Sequence, residues 1–126
     1  MSKTEKTKQI LENYFEAMYA KKGWEELITD EITMSGSAIP LVKGKDEFIQ
    51  QTNEFLQNVY EGKVRNMIVQ DDWACVLTNY QIGHPDMAIL DLDTCEIVHV
   101  KNGKVNSFEL YFDSMAFANF MEKMKK

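Results

Sequence analysis

With 126 residues, 44% apolar side chains and a net charge of −6, the chain has enough material for one core without disulfides or metal. The acidic balance repels a phosphate backbone and excludes nucleic acid as an expected partner, and no stretch approaches the roughly 18 apolar residues of a membrane span. The start, "MSKTEKTKQIL", lacks the apolar run of an export signal, so a single soluble, cytoplasmic domain over residues 1–126 is expected.

Ser2 followed by Glu5 predicts a capping box, and Ile10, Leu11, Tyr14, Phe15, Met18 and Tyr19 recur at helical spacing. The first helix is therefore expected to run to about Lys21, with Gly23 as its stop. "WEELI" predicts a short second helix with Trp24, Leu27 and Ile28 on one side. A strand over residues 30–36 follows, then a loop through Pro40 and Gly44. A third helix carries Phe48, Thr52, Phe55, Leu56 and Val59 at a helical period and is expected to end at Gly62.

From Lys63 the apolar period falls to two, which predicts strands at about 64–71, 73–82, 87–101 and 104–113 in an antiparallel meander. Asp113 or Ser114 then caps a last helix, whose apolar stripe is read as Met115, Ala118, Met121 and Met124. Cys75 and Cys95 lack metal-ligand spacing and are expected to be reduced core thiols. There is no GxSxG, no glycine loop for phosphate and no HExxH. No metal or other cofactor is therefore expected. His84 falls in the "GHPD" turn as a solvated residue.

This order of elements resembles the nuclear-transport-factor-2-like superfamily, which includes ketosteroid isomerase and the SnoaL-like polyketide cyclases. Three stretches carry the resemblance: "YFEAMYAKKGWEELITDEITM", "VKGKDEFIQQ" and "EIVHVKNGKVNSFELYFD". It implies an α+β, cystatin-like fold, in which a cone-shaped, curved antiparallel sheet wraps around a long helix. The open end of such a cone holds a small apolar molecule or meets a partner.

The turn at Asn102-Gly103 decides which side chains face the cone. A two-residue turn opposes Lys101 to Lys104 and puts Glu109 and Tyr111 on the face of Val98 and Val100. A three-residue turn bulged at Gly103 pairs Val100 with Lys104, and sets Phe108, Leu110 and Phe112 beside Glu96, Val98 and Val100. The second register gives a continuous apolar wall and is the one expected. It places Ala74, Val76, Thr78 and Tyr80 on that wall as well, with Trp73, Cys75, Leu77, Cys95, Ile97 and His99 on the other face. An outer face carrying Trp73, Leu77 and Ile97 would leave an apolar patch wet, so a homodimer through the sheet is expected, as the resemblance also implies.

Glu96 is the acid within the wall. Burial raises a carboxyl's pKa, which makes it a functional candidate. It could equally be a structural carboxylate bonded to Tyr80, Thr78 or Thr94, or reach water at the rim. The resemblance puts Tyr14 and Glu96 near the two hydrogen-bond donors of ketosteroid isomerase. The isomerase's base would fall in "MSGSA", which holds no ionisable side chain. An expected cavity is lined by Tyr14, Met18 and Met34, by Phe48 and Phe55, and by Tyr80, Glu96, Val98, Phe108 and Leu110. The reading that follows is a binder of a small apolar molecule. Its alternatives are a dimeric interaction module with a filled core, or an isomerase, cyclase or dehydratase using Tyr14 and Glu96 as catalytic groups.

Overall fold

A computed structural model describes residues 1–37 and 39–124. Helix α1 (Lys3–Tyr19) begins at the capping box, with the Ser2 Oγ accepting from the Glu5 amide at 3.1 Å and the Glu5 carboxylate accepting from the Ser2 amide at 3.2 Å. It ends earlier than the glycine implied. Lys21 adopts the left-handed conformation at φ 60°, and the Lys22 amide donates to the Ala17 carbonyl while the Lys21 amide donates to Met18. That double closure is a Schellman motif, so the stop lies two residues ahead of Gly23. A short 3-10 helix, Trp24–Leu27, leads into β1 (Ile28–Gly36).

Two expectations fail in the next stretch. The segment around Pro40 is strand β2 (Ile39–Lys43), paired antiparallel to β1. It is an edge strand of the sheet, where a proline leaves no ladder bond unmade. Helix α2 (Lys45–Leu56) stops six residues before Gly62, because Val59 leaves the helix to open β3 (Val59–Gln70) beside Ile82. Gly62 lies within that strand. A Cβ there would come 2.7 Å from the ring of Tyr19, so the glycine admits an aromatic side chain and ends no helix.

Strands β4 (Trp73–His84), β5 (Ala88–Lys101) and β6 (Lys104–Phe112) complete a curved, unclosed sheet in the order β2-β1-β6-β5-β4-β3. Every neighbour is antiparallel except β1 with β6, which makes the sheet mixed. Extra residues at Tyr60 and Arg65 interrupt the β3–β4 register, and such bulges bend and twist a strand. The inner face packs on α1 through Leu11, Tyr14, Phe15 and Met18, all buried.

The final hairpin reaches the expected faces by another route. Asn102 and Gly103 both have positive φ, 53° and 79°, as a two-residue type I′ turn requires, and Lys101 does oppose Lys104. Both lysines are exposed, and the Lys101 Nζ lies 3.3 Å from the Glu31 carboxylate, so the like-charge penalty is small. The bulge sits further along, where Val100 pairs with Val105 and His99 with Ser107, leaving Asn106 as the extra residue. From there Phe108 pairs with Val98 and Leu110 with Glu96.

Helix α3 (Ser114–Met124) is capped by Asp113, whose Oδ1 accepts from the Ala116 amide at 2.9 Å. Its packed residues are Phe117, Phe120 and Met121, whereas Met115 and Ala118 of the expected stripe are exposed. No helix among the described residues is long and apolar enough to cross a membrane.

Gly36 gives a direct test of this packing. Its φ is 141°, and a Cβ would overlap the carbonyl oxygen of Leu110 on the parallel neighbour. Gly36→Ala is expected to lower unfolding stability by at least about 2 kcal/mol. Gly23→Ala has positive φ but open space, and should lower it by about 1 kcal/mol. Urea unfolding of the two variants checks the order.

Candidate functional site

The concave side of the sheet, α1, α2 and α3 enclose a cavity of about 430 Å3, within the roughly 300–1,000 Å3 of small-molecule sites. Its exposed lining residues, Pro40, Gln51, Glu54 and Asn58, place the mouth between β2 and the α2 side. Nine of the ten expected lining residues face it: Tyr14, Met18 and Met34, Phe48 and Phe55, and Tyr80, Glu96, Phe108 and Leu110. Val98 does not; it is fully buried in the wall behind, opposite Phe108.

The lining residues missed come from three places, besides Gln51, Thr52, Glu54 and Asn58 on and just after α2. Ile39 and Pro40 lie on a strand read as loop, and Phe117 and Met121 enter from α3, where the stripe was set one residue out of phase at Phe117. Ile82, Leu92, Thr94 and Phe112 extend the wall along β4, β5 and β6. Their alternation with outward-facing neighbours was visible in the sequence, since the same parity carries Tyr80 to Ile82 and Leu110 to Phe112.

Glu96 is 3% exposed, and its Oε2 accepts from the Thr78 hydroxyl at 2.8 Å, the Tyr80 hydroxyl at 2.9 Å and the Thr94 hydroxyl at 3.2 Å. Thr78 and Thr94 are paired across the strands and also touch each other through their hydroxyls. Oε1 has no protein donor among the described residues. The carboxyl is pushed above its ordinary range by burial, with the Thr78, Tyr80 and Thr94 hydroxyls pulling the other way. The bonded carboxylate anticipated from the sequence is thus present on one oxygen, while the other is open.

Tyr14, 2% exposed, packs edge-on against Phe15 and Trp24 and also lines the cavity. Its hydroxyl has no hydrogen-bond partner among the described residues. Burial, and next the charge of Glu96, hold this phenol well above its usual range, so it is a hydrogen-bond donor at any ordinary pH. Tyr80 is held up by the same two causes.

The remaining candidates stand apart. His84 is exposed and faces Asp86 at 3.7 Å. His99 lies on the outer face, 3.2 Å from Asp72 and against Trp73, with ring centroids 4.6 Å apart. Cys75 and Cys95 are free, but they lie half-buried on the outer face rather than in the core, with their sulfurs 3.2 Å apart. The contact with Cys75, followed by burial, pushes the Cys95 thiol up to about 11, where it carries little thiolate at neutral pH. No group of three or more His, Cys, Asp or Glu side chains among the described residues is placed to hold a metal ion.

No protein-family model matches the chain, and no curated protein matches it. The fold is shared with solved structures. Bal32a, from a soil-derived mobile gene cassette, superposes with a TM-score of 0.83 at 16% identity, over 94% of this chain and 98% of that one. A candidate SnoaL-like polyketide cyclase from Jannaschia sp. CCS1 gives 0.79 at 15%, over 91% and 90%. A candidate ketosteroid isomerase from Kribbella flavida DSM 17836 gives 0.78 at 16%, over 90% and 82%. The architecture is therefore the nuclear-transport-factor-2-like fold. Identities at this level define the fold and leave the chemistry to the site itself.

The raised Glu96 carboxyl has a signed consequence for stability. A carboxyl whose folded pKa lies above its unfolded value binds its proton more tightly in the folded state, so its contribution is full below the unfolded value of 4.5 and is lost as pH rises to the folded value. Glu96→Gln has no such loss. The thermal midpoint of the parent, measured relative to that variant, is expected to fall between pH 4.5 and the higher pH at which Glu96 ionises, then level off.

Proposed function

We propose that the protein binds a small, largely apolar molecule in the cone, with Glu96 and the Tyr14 hydroxyl as its polar anchors. The observation that carries this reading is an apolar cavity whose lining residues keep two polar atoms that the protein leaves unbonded, Oε1 of Glu96 and the Tyr14 hydroxyl. Neither atom is sealed off, the Tyr19 hydroxyl being the buried side-chain polar atom without a partner among the described residues, so both remain accessible to a polar group of an occupant. Met18, Met34, Phe48, Phe55, Phe108 and Leu110 supply contact area, and the thioethers adapt to shape. A filled core would leave neither the space nor the open atoms.

An isomerase, cyclase or dehydratase using Tyr14 and Glu96 is the enzymatic form of the same site. Proton transfer between two carbons asks for a base facing the ligand beside the two donors. Ser35 and Ser37, near the end of β1, supply none, which favours binding over turnover.

A neutral naphthalene fluorophore that shifts to the blue in apolar surroundings, such as prodan, tests the reading. The parent is expected to bind it at micromolar concentration, and Leu110→Trp, which fills the cavity, to lose the signal. Tyr14→Phe is expected to weaken binding by about fivefold, the loss of roughly one hydrogen bond from the Tyr14 hydroxyl to the probe's ketone oxygen. Equal signals from the parent and Leu110→Trp would refute a cavity site.

A second reading concerns assembly, and it rests on the outer face of the sheet. Trp73, Ile68 and Tyr111 there are 47%, 60% and 46% exposed, around half-buried Leu77 and Ile97. We infer a homodimer through this face, because so contiguous an apolar patch is stabilised by a matching copy. Sedimentation at micromolar concentration should give a dimer, and Ile68→Lys with Trp73→Lys should give a monomer of unchanged helix content. A monomeric parent would end this reading.

A further inference from the structure

The cavity is one-sided in its charge. Among its described lining residues there is no lysine, arginine or histidine, while Glu96 lies at depth and Glu54 at the mouth. Glu96 is met by Thr78 and Tyr80 from β4, by Thr94 from β5, by Leu110 from β6, and by Tyr14 and Tyr19 from α1. From α2 the nearest charged lining residue is Glu54, and α3 contributes Phe117 and Met121. Among the described lining residues no element supplies a cation. A net charge of −6 adds to the negative potential at the mouth.

An ionised acid in such a place needs a counter-charge, and a buried charge without one is strongly destabilising. The three hydroxyls satisfy Oε2 but carry no charge. With no cation among the described lining residues, the counter-charge would come with the occupant, at the unbonded Oε1. The aromatic lining, Tyr14, Phe48, Phe55, Tyr80 and Phe108, is compatible with a cation, since ring faces attract it by about 0.5–2 kcal/mol. Of the two main causes that keep the Tyr14 phenol protonated, burial penalises a charge of either sign, whereas the negative charge of Glu96 favours an ammonium beside it.

We propose that the occupant of the cavity is an apolar molecule bearing one basic amine, with its ammonium paired to Oε1 of Glu96 and donating to the Tyr14 hydroxyl oxygen. This rests on the cavity-binding reading above and names the chemical class of the ligand. Recognition by a protonated acid donating to a carbonyl is the opposite case, and the two differ in the sign of their pH dependence. An ammonium binds more tightly as pH rises through the titration of Glu96, until the amine itself deprotonates. A carbonyl acceptor binds less tightly over the same interval.

Four probes of one shape separate the cases by calorimetry: 2-(aminomethyl)naphthalene, 2-naphthalenemethanol, 2-ethylnaphthalene and 2-acetylnaphthalene. At pH 7.5 the amine is expected to bind at least about tenfold more tightly than the other three. Its affinity should fall as pH is lowered through the Glu96 titration. In Glu96→Gln the amine's advantage should vanish while the ethyl compound still binds. The pH series on the unaltered protein stands even if that variant is poorly folded. An amine that binds no better than the alcohol, an advantage that survives Glu96→Gln, or an affinity that rises towards acid would overturn the proposal and leave the cavity reading standing. If none of the four binds, the cavity reading fails and the proposal with it.

Discussion

The one extra residue in β6 is the constraint on which the site depends. Asn106 has no partner in the ladder between Val105 and Ser107, and its side chain is held from both sides, accepting from Thr29 Oγ1 at 2.8 Å and lying 3.3 Å from His99 Nδ1. Because side chains alternate along a strand, one residue more or less exchanges its two faces. With the bulge in place Phe108, Leu110 and Phe112 join Val76, Tyr80, Glu96 and Val98 on the concave side. Without it, Glu109 and Tyr111 would enter the cone, and the cavity would gain a second deep acid and lose its apolar wall.

This explains why the faces of the sheet were legible in the sequence although the turn was not. The demand for a continuous apolar wall is a statement about parity, and parity is the same whether the extra residue sits at Gly103 or at Asn106. Turn type depends instead on a balance of small local terms. The repulsion of Lys101 and Lys104 was weighed too heavily, because Glu31 on β1 is distant in sequence and answers one of them. The other misreadings share that origin. Val59 fits a helical period as well as a strand, and only its neighbour Ile82 decides between them. Pro40 reads as a loop until its strand is known to be an edge. Glu96 stands out in the sequence as an acid within an apolar wall, whereas Tyr14, one of several aromatics on its helix stripe, is marked only by the resemblance to ketosteroid isomerase. That both would keep an unbonded oxygen depends on rotamers and distances, which no spacing rule supplies.

The two faces of the sheet are chemically independent. Thr78 and Tyr80 point in, while Cys75 and Leu77 before them point out, so substitutions at adjacent positions act on different sites. The thiols belong wholly to the outer side. Cys75 and Cys95 come close only because β4 and β5 pair Leu77 with Cys95 and Cys75 with Ile97, which makes them diagonal neighbours. They are too far from the cavity's chemistry to act as its nucleophile.

A structural role for Glu96 is compatible with the proposed binding role, because the hydroxyl cluster bonds one of its two oxygens. Oε2 is the acceptor for Thr78 and Tyr80 and lies within reach of Thr94, so removing the carboxylate leaves buried hydroxyls without a partner. Such a cluster also fixes the carboxyl's rotamer, and with it the direction in which Oε1 points. In the proposed binding role the hydroxyl cluster is the support that holds the acid in the cavity lining. A group held in place before its ligand arrives loses less conformational entropy on binding.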